Sequence, residues 1–192
     1  GLRSKSNDGK LPISIFKSEL NGISYNSLIP SAQIKSAILL AGIGADGETS
    51  TTESILSRNH TEIMLKKLGA SLSTNNLKNT ISKSSLSSLI NFNVPGDPST
   101  SSFFSTAAML LPNSSITIEN ILLNPTRIGF YKIINKMGAK LVYFNEKISF
   151  GEKIGSLKVV SSNLKNINIS KTDIPGLIDE LPLIALLATQ AN

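Results

Sequence analysis

Ser31-Ala32-Gln33-Ile34-Lys35-Ser36-Ala37-Ile38-Leu39-Leu40-Ala41-Gly42 gathers its polar side chains at the start and is apolar nearly all round after that. This pattern predicts a helix enclosed by other elements rather than laid on a surface. Ser31 stands where an N-cap belongs. An enclosed helix with one polar end must turn that end toward water or a ligand, and its free N–H groups and dipole attract anions. Lys35 reads either as a cation adding to the field of that opening or as a solvated charge.

The plan recurs along the chain. The helix predicted over 31–43 is followed by a Thr-rich strand over 48–55 and a helix ending Lys67-Leu68-Gly69-Ala70. Paired strands over 70–74 and 80–85 complete the copy. A second copy runs through a helix over 98–111, a strand over 115–121 and a helix ending Lys136-Met137-Gly138-Ala139. It closes with strands over 140–145 and 157–161. Arg58 precedes Gly69 by the interval that separates Arg127 from Gly138. A third helix over 177–191, with Asp179 and Glu180 in its first turn, starts another copy. Ahead of the first helix, 11–16 and 22–28 read as a strand pair. The expected fold class is α+β, built from β-α-β-α-β-β units that recur roughly every 65–70 residues around buried helices. Val94-Pro95-Gly96-Asp97-Pro98 separates the copies, with Asp97 as N-cap and Pro98 at the first helical position, and places a boundary or hinge there.

Composition narrows the chemistry. The chain has 192 residues, 40% hydrophobic and 17% charged, which fits one large or two small cored domains. With no Cys and one His, thiolate chemistry, disulfides and a His-based triad or zinc site are unsupported. No apolar run approaches a membrane span, and no signal peptide opens the chain. The net charge of +6 comes mostly from scattered Lys; the three Arg are Arg3, Arg58 and Arg127. That scatter, with no Trp and few aromatics, favours a small polyanionic ligand over nucleic acid. The Gly1 start and an end inside an apolar helical run lead us to expect a piece of a longer protein.

The quoted stretch resembles the substrate helix of the 5-enolpyruvylshikimate-3-phosphate synthase family, in its bacterial Ser-Ala-Gln subgroup. Four further segments agree in order: Ser57-Arg58-Asn59-His60-Thr61-Glu62, Val94-Pro95-Gly96-Asp97-Pro98-Ser99, Leu123-Asn124-Pro125-Thr126-Arg127 and Leu177-Ile178-Asp179-Glu180. The resemblance implies an inside-out α/β barrel, or α-β prism, architecture of two domains with three such units each. Residues 1–94 would be the last unit of one domain and 95–192 the start of the second. It implies transfer of the enolpyruvyl group of phosphoenolpyruvate to the 5-hydroxyl of shikimate 3-phosphate, with release of phosphate, in the cytoplasm. It further implies no metal or organic cofactor, no nucleic-acid or membrane partner, and a monomeric full-length protein, with self-association of the piece left open.

Residue by residue, the resemblance places shikimate 3-phosphate on Ser31, Ala32, Gln33, Arg58 and Asp179. Gln33 also reaches phosphoenolpyruvate, and Asp179 is the catalytic proton acceptor. The plainer readings are an N-cap for Ser31, a surface helix former for Gln33 and a dipole-compensating carboxylate for Asp179. Asn59 and Glu62 suit a capping box. Arg127 paired with Asp97, and His60 and Glu180, read as structural. The family's phosphoenolpyruvate-binding Arg and its later basic stretch have no counterpart here, so the 192-residue chain alone is expected to be inactive. The alternatives are the related UDP-N-acetylglucosamine enolpyruvyl transferase and a non-catalytic anion-binding module.

Overall fold

The computed structural model describes residues 13–88 and 91–192, and its contacts divide the chain into two compact units, Gly1–Ile90 and Asn91–Asn192.

In the first unit the order is β1 (Ser24–Asn26), α1 (Ala32–Gly42), β2 (Thr49–Thr52), α2 (His60–Lys67), β3 (Leu72–Asn75) and β4 (Lys78–Ile81). The sheet order is β1-β2-β4-β3. β1 runs parallel to β2, with Ser24 opposite Ser50, so a crossover is needed and α1 supplies it. The helix lies very close to the sheet. A Cβ on Gly42 would stand 2.7 Å from Ile81 Cγ2 and 2.9 Å from Thr49 Cβ, so only glycine fits at that contact.

The second unit contains α3 (Pro98–Leu110), β5 (Ser115–Leu122), α4 (Gly129–Lys136), β6 (Lys140–Ser149) and β7 (Glu152–Val160). Two 3₁₀ turns, Ile174–Gly176 and Ile178–Glu180, then lead into α5 (Leu181–Thr189). The strands form an antiparallel sheet in the order β5-β7-β6. Gly96 bridges Ile121 in parallel, donating its N–H to Asn120 O at 2.7 Å and accepting from Leu122 N at 3.0 Å. That bridge takes the place β1 holds in the first unit, so both units follow one plan. The core gathers Met109 from α3, Phe130, Ile133 and Ile134 from α4, Leu157 and Val159 from β7, and Leu183 and Leu187 from α5. The Ser-rich start of α3 is sealed by Tyr131, whose hydroxyl lies 2.5 Å from Ser101 Oγ.

The repeated Gly-Ala ends have one geometry. Gly69 and Gly138 adopt φ of 89° and 91°. Ala70 then donates to Leu65 O, and Ala139 to Ile134 O, both at 2.9 Å, closing each helix with a left-handed glycine cap.

Three expectations change. Residues 11 and 12 lie outside the described residues, 13–16 form no strand, and Ser24–Asn26 pairs with β2 instead. The third helix starts at Leu181, because Pro182 in its first turn has no N–H to give to the preceding turn. Asp179 and Glu180 therefore sit in a 3₁₀ turn ahead of it. The enclosed helices are not covered all round. α1 leaves Leu40 55% exposed, and α3, though it packs against β5, β7, α4 and α5, leaves Phe103 and Phe104 58% and 59% exposed.

Candidate functional site

Ser31 takes extended dihedrals (φ −142°, ψ 111°), and its hydroxyl accepts the Ile34 N–H at 3.4 Å, which makes it the N-cap of α1. Ala32 and Gln33 are the first helical residues, so their amides belong to the donors that no helix carbonyl can reach. The first turn holds no acidic side chain, so the positive end of the helix is not neutralised from within. Gln33 is exposed there.

One turn deeper, Lys35 is 1% exposed, neither solvated nor directed at an opening. Its Nζ lies 2.7 Å from Glu53 Oε2 and 2.8 Å from Glu62 Oε1. Glu53, just past β2, also accepts a hydrogen bond from Ser57 Oγ. Glu62 turns inward instead of closing a capping box: Oε1 accepts Asn79 Nδ2 at 3.4 Å, and Oε2 is buried with no hydrogen-bond partner. Asn59 makes no side-chain cap bond. Between the helices, Ser36 Oγ and Thr61 Oγ1 are 2.6 Å apart.

These contacts bring the starts of α1 and α2 side by side. Ser31, Ala32 and Gln33 belong to one start, and Arg58, exposed and two residues before α2, belongs to the other. The α1 start, with no acidic side chain in its first turn, favours an oxyanion, and Arg58 stands two residues ahead of the α2 start, whose own first turn carries Glu62. The triad of Lys35, Glu53 and Glu62 was not foreseen. Its signal was the single charge in an otherwise apolar helix, four residues from Leu39 and seven from Gly42, on the face those two bury.

In the second unit, Asp179 is exposed in the turn Ile178–Glu180, and Glu180 is 4% exposed. The segment before it is fixed by close backbone contact, since a Cβ on Gly129 would stand 2.2 Å from Gly176 O. Asp97 caps α3, accepting Thr100 N and Oγ1 at 3.0 Å each, and pairs with Arg127 Nη2. Arg127 also donates to Ser99 Oγ at 3.0 Å, so the structural reading of this pair holds. Burial pushes the Asp97 carboxyl up, but the Thr100 amide, the Arg127 guanidinium and the Thr100 hydroxyl outweigh it and leave it below its ordinary value. Asn124 holds its loop, accepting Thr126 N at 2.8 Å and donating to Glu152 Oε2 at 2.7 Å. Among the described residues no group of three or more His, Asp or Glu is placed to hold a metal ion, and no helix is long and apolar enough to cross a membrane.

Comparison with known proteins adds the following. Residues 2–192 match the family model described as EPSP synthase (3-phosphoshikimate 1-carboxyvinyltransferase). The chain is 46% identical over 187 residues to a 3-phosphoshikimate 1-carboxyvinyltransferase of Leuconostoc mesenteroides, covering 97% of this chain and 43% of the relative. It is 45% identical over 181 residues to the protein of that name from Bacillus subtilis, covering 94% and 42%. A solved EPSP synthase from Acinetobacter baumannii superposes with a TM-score of 0.89 at 36% identity, covering all of this chain and 44% of that one. The chain thus spans less than half the length of the relatives it matches.

Proposed function

The chain belongs to the EPSP synthase family, and on that premise we propose that it supplies the shikimate 3-phosphate-binding part of an enolpyruvyl transferase. The reaction is transfer of the enolpyruvyl group of phosphoenolpyruvate to the 5-hydroxyl of shikimate 3-phosphate, with loss of phosphate. Residues 1–94 form the last β-α-β-α-β-β unit of one domain, and 95–192 begin the second. The protein works in the cytoplasm, as a monomer when full length.

The observation that carries this reading is the adjacency of the two helix starts in the first unit. The Ser31 hydroxyl, the Ala32 amide and the Arg58 guanidinium receive the 3-phosphate. Gln33, whose amide both donates and accepts, touches the sugar acid and the bridging oxygen of phosphoenolpyruvate, which leaves with the phosphate. Fixed donors of this kind cost no reorganisation as charge moves from the attacking hydroxyl to the leaving phosphate. Asp179 takes the proton of the 5-hydroxyl, and its exposed place in a short turn supports access to substrate. The donors that the family uses for most of the phosphoenolpyruvate site have no counterpart in residues 1–192, so these residues alone do not turn over; measurable synthase turnover by them would refute this.

Titration calorimetry with shikimate 3-phosphate tests the assignment. In the natural polypeptide that carries this chain, Arg58→Ala is expected to weaken binding by about 10- to 100-fold, the worth of a charge-assisted contact. An unchanged dissociation constant would remove Arg58 from the phosphate site.

A further inference from the structure

We propose that Glu53 is a positioning residue, which holds the Ser57–Arg58 segment against the start of α1 and so sets affinity for the phosphorylated substrate. The inference rests on the reading above. Glu53 stands at the end of β2 and is 4% exposed, yet none of the chemistry assigned to the site uses it. Its two oxygens have separate duties. Oε2 is fixed by Lys35 Nζ at 2.7 Å, on α1, and Oε1 receives the Ser57 hydroxyl.

Lys35 is itself fixed by Glu62 of α2 at 2.8 Å. The ammonium therefore ties together a helix, the chain leaving the central strand, and a second helix. The bond from Ser57 to Glu53 links that buried anchor to the exposed segment next to Arg58. Residues 54–56, between Glu53 and Ser57, are exposed and belong to no helix or strand, so the bond from Ser57 spans a loop. A buried charged network of this kind fixes geometry more than it adds stability, because desolvation offsets much of the attraction. A displacement of Arg58 by about 1 Å is enough to cost a large factor in a positioned contact.

The test uses the natural polypeptide that carries this chain. Glu53→Asp keeps the charge that Lys35 needs and shortens the reach to Ser57 by one methylene. Its expected result is about a tenfold rise in KM and in the dissociation constant for shikimate 3-phosphate. The KM for phosphoenolpyruvate at saturating co-substrate should change by less than about twofold, and the thermal midpoint by only a few degrees. Ser57→Ala should show the same selective loss, and the double variant should be no weaker than either single one, because both cut one connection. Additive losses, or affinity within about twofold of the parent in either variant, would overturn the proposal while leaving the functional reading intact. Should Glu53→Asp fail to fold, Ser57→Ala decides alone, and unchanged affinity there overturns the proposal. A parent that does not bind shikimate 3-phosphate removes the functional reading, and this inference with it.

Discussion

Ser36 and Thr61 share a hydroxyl–hydroxyl hydrogen bond of 2.6 Å, which fastens the second turn of α1 to the first turn of α2. Beneath it, Lys35 joins Glu53 and Glu62. Among the described residues, the first unit thus holds its two helix starts together through polar contacts, beside a small buried apolar cluster of Leu39 from α1, Leu65 from α2 and Ile81 from β4.

Removing the ammonium should therefore be costly. Lys35→Met leaves two carboxylates in a site where they are 1% and 6% exposed, and the expected loss is about 3–5 kcal/mol of unfolding free energy. Replacing all three residues, as Lys35→Met with Glu53→Gln and Glu62→Gln, should recover most of it, because no unpaired charge stays buried. Urea unfolding of the two proteins checks the pair. A loss below about 1 kcal/mol in the single variant would contradict the buried-charge account.

The sequence made the repeat legible because its signals are local. Ser31 and Asp97 at the helix starts, and Gly69 and Gly138 past the ends, each act within one turn of backbone. The burial of Lys35 was not legible in this way, since its partners lie in other elements and composition alone favours a solvated lysine. Ionic pairing over such separations leaves no periodic trace. The 3₁₀ turn at Asp179 had a local signal in Pro182, outweighed by the long apolar run after it. The grouping of Ser31, Ala32, Gln33 and Arg58 comes from the resemblance to the family; the local pattern alone marks Ser31 as a helix cap and does not tie Arg58 to it.

Asp97 gives the second unit a dependence on acid. Its native carboxyl titrates below the ordinary value of 3.8, once the Thr100 amide and Arg127 have offset the effect of burial. A lowered native value means that the unfolded chain takes up the proton first as pH falls. The stabilisation is therefore complete above the unfolded value and is lost as pH drops through the native one. Asp97→Ala should remove about 1 kcal/mol at pH 7 from the lost cap, and flatten the stability profile between pH 3.8 and the lower native value. Denaturant midpoints across that range check it; a variant whose slope matched the parent's would show that Asp97 is not the responsible group.

Gly129 is fixed by its neighbour rather than by its own dihedrals. Gly129→Ala would place a methyl 2.2 Å from Gly176 O, so either α4 or the 174–180 segment must shift. The expected cost is about 1–3 kcal/mol. In the natural polypeptide the same change should lower turnover, because that segment carries Asp179. Unchanged stability and unchanged kcat would together show that the contact relaxes freely.

Asp179 itself separates binding from chemistry. If its carboxylate takes the proton of the attacking hydroxyl, its worth appears chiefly as that bond breaks, and removing it affects the transition state more than the ground state. Asp179→Ala in the natural polypeptide should then reduce kcat by about 10²–10⁴, the range ascribed to general base catalysis. The dissociation constant for shikimate 3-phosphate should rise by about 10- to 100-fold at most, the worth of one charge-assisted hydrogen bond to a hydroxyl, and by less than turnover falls. Asp179→Asn, which keeps the shape and a hydrogen bond but cannot accept the proton, should bind almost as the parent does and turn over as slowly as the alanine variant. Single-turnover kinetics read beside calorimetry distinguish the cases. A matched fall in affinity and in turnover would make Asp179 a ligand of the sugar hydroxyls alone and leave the base to be found on another residue.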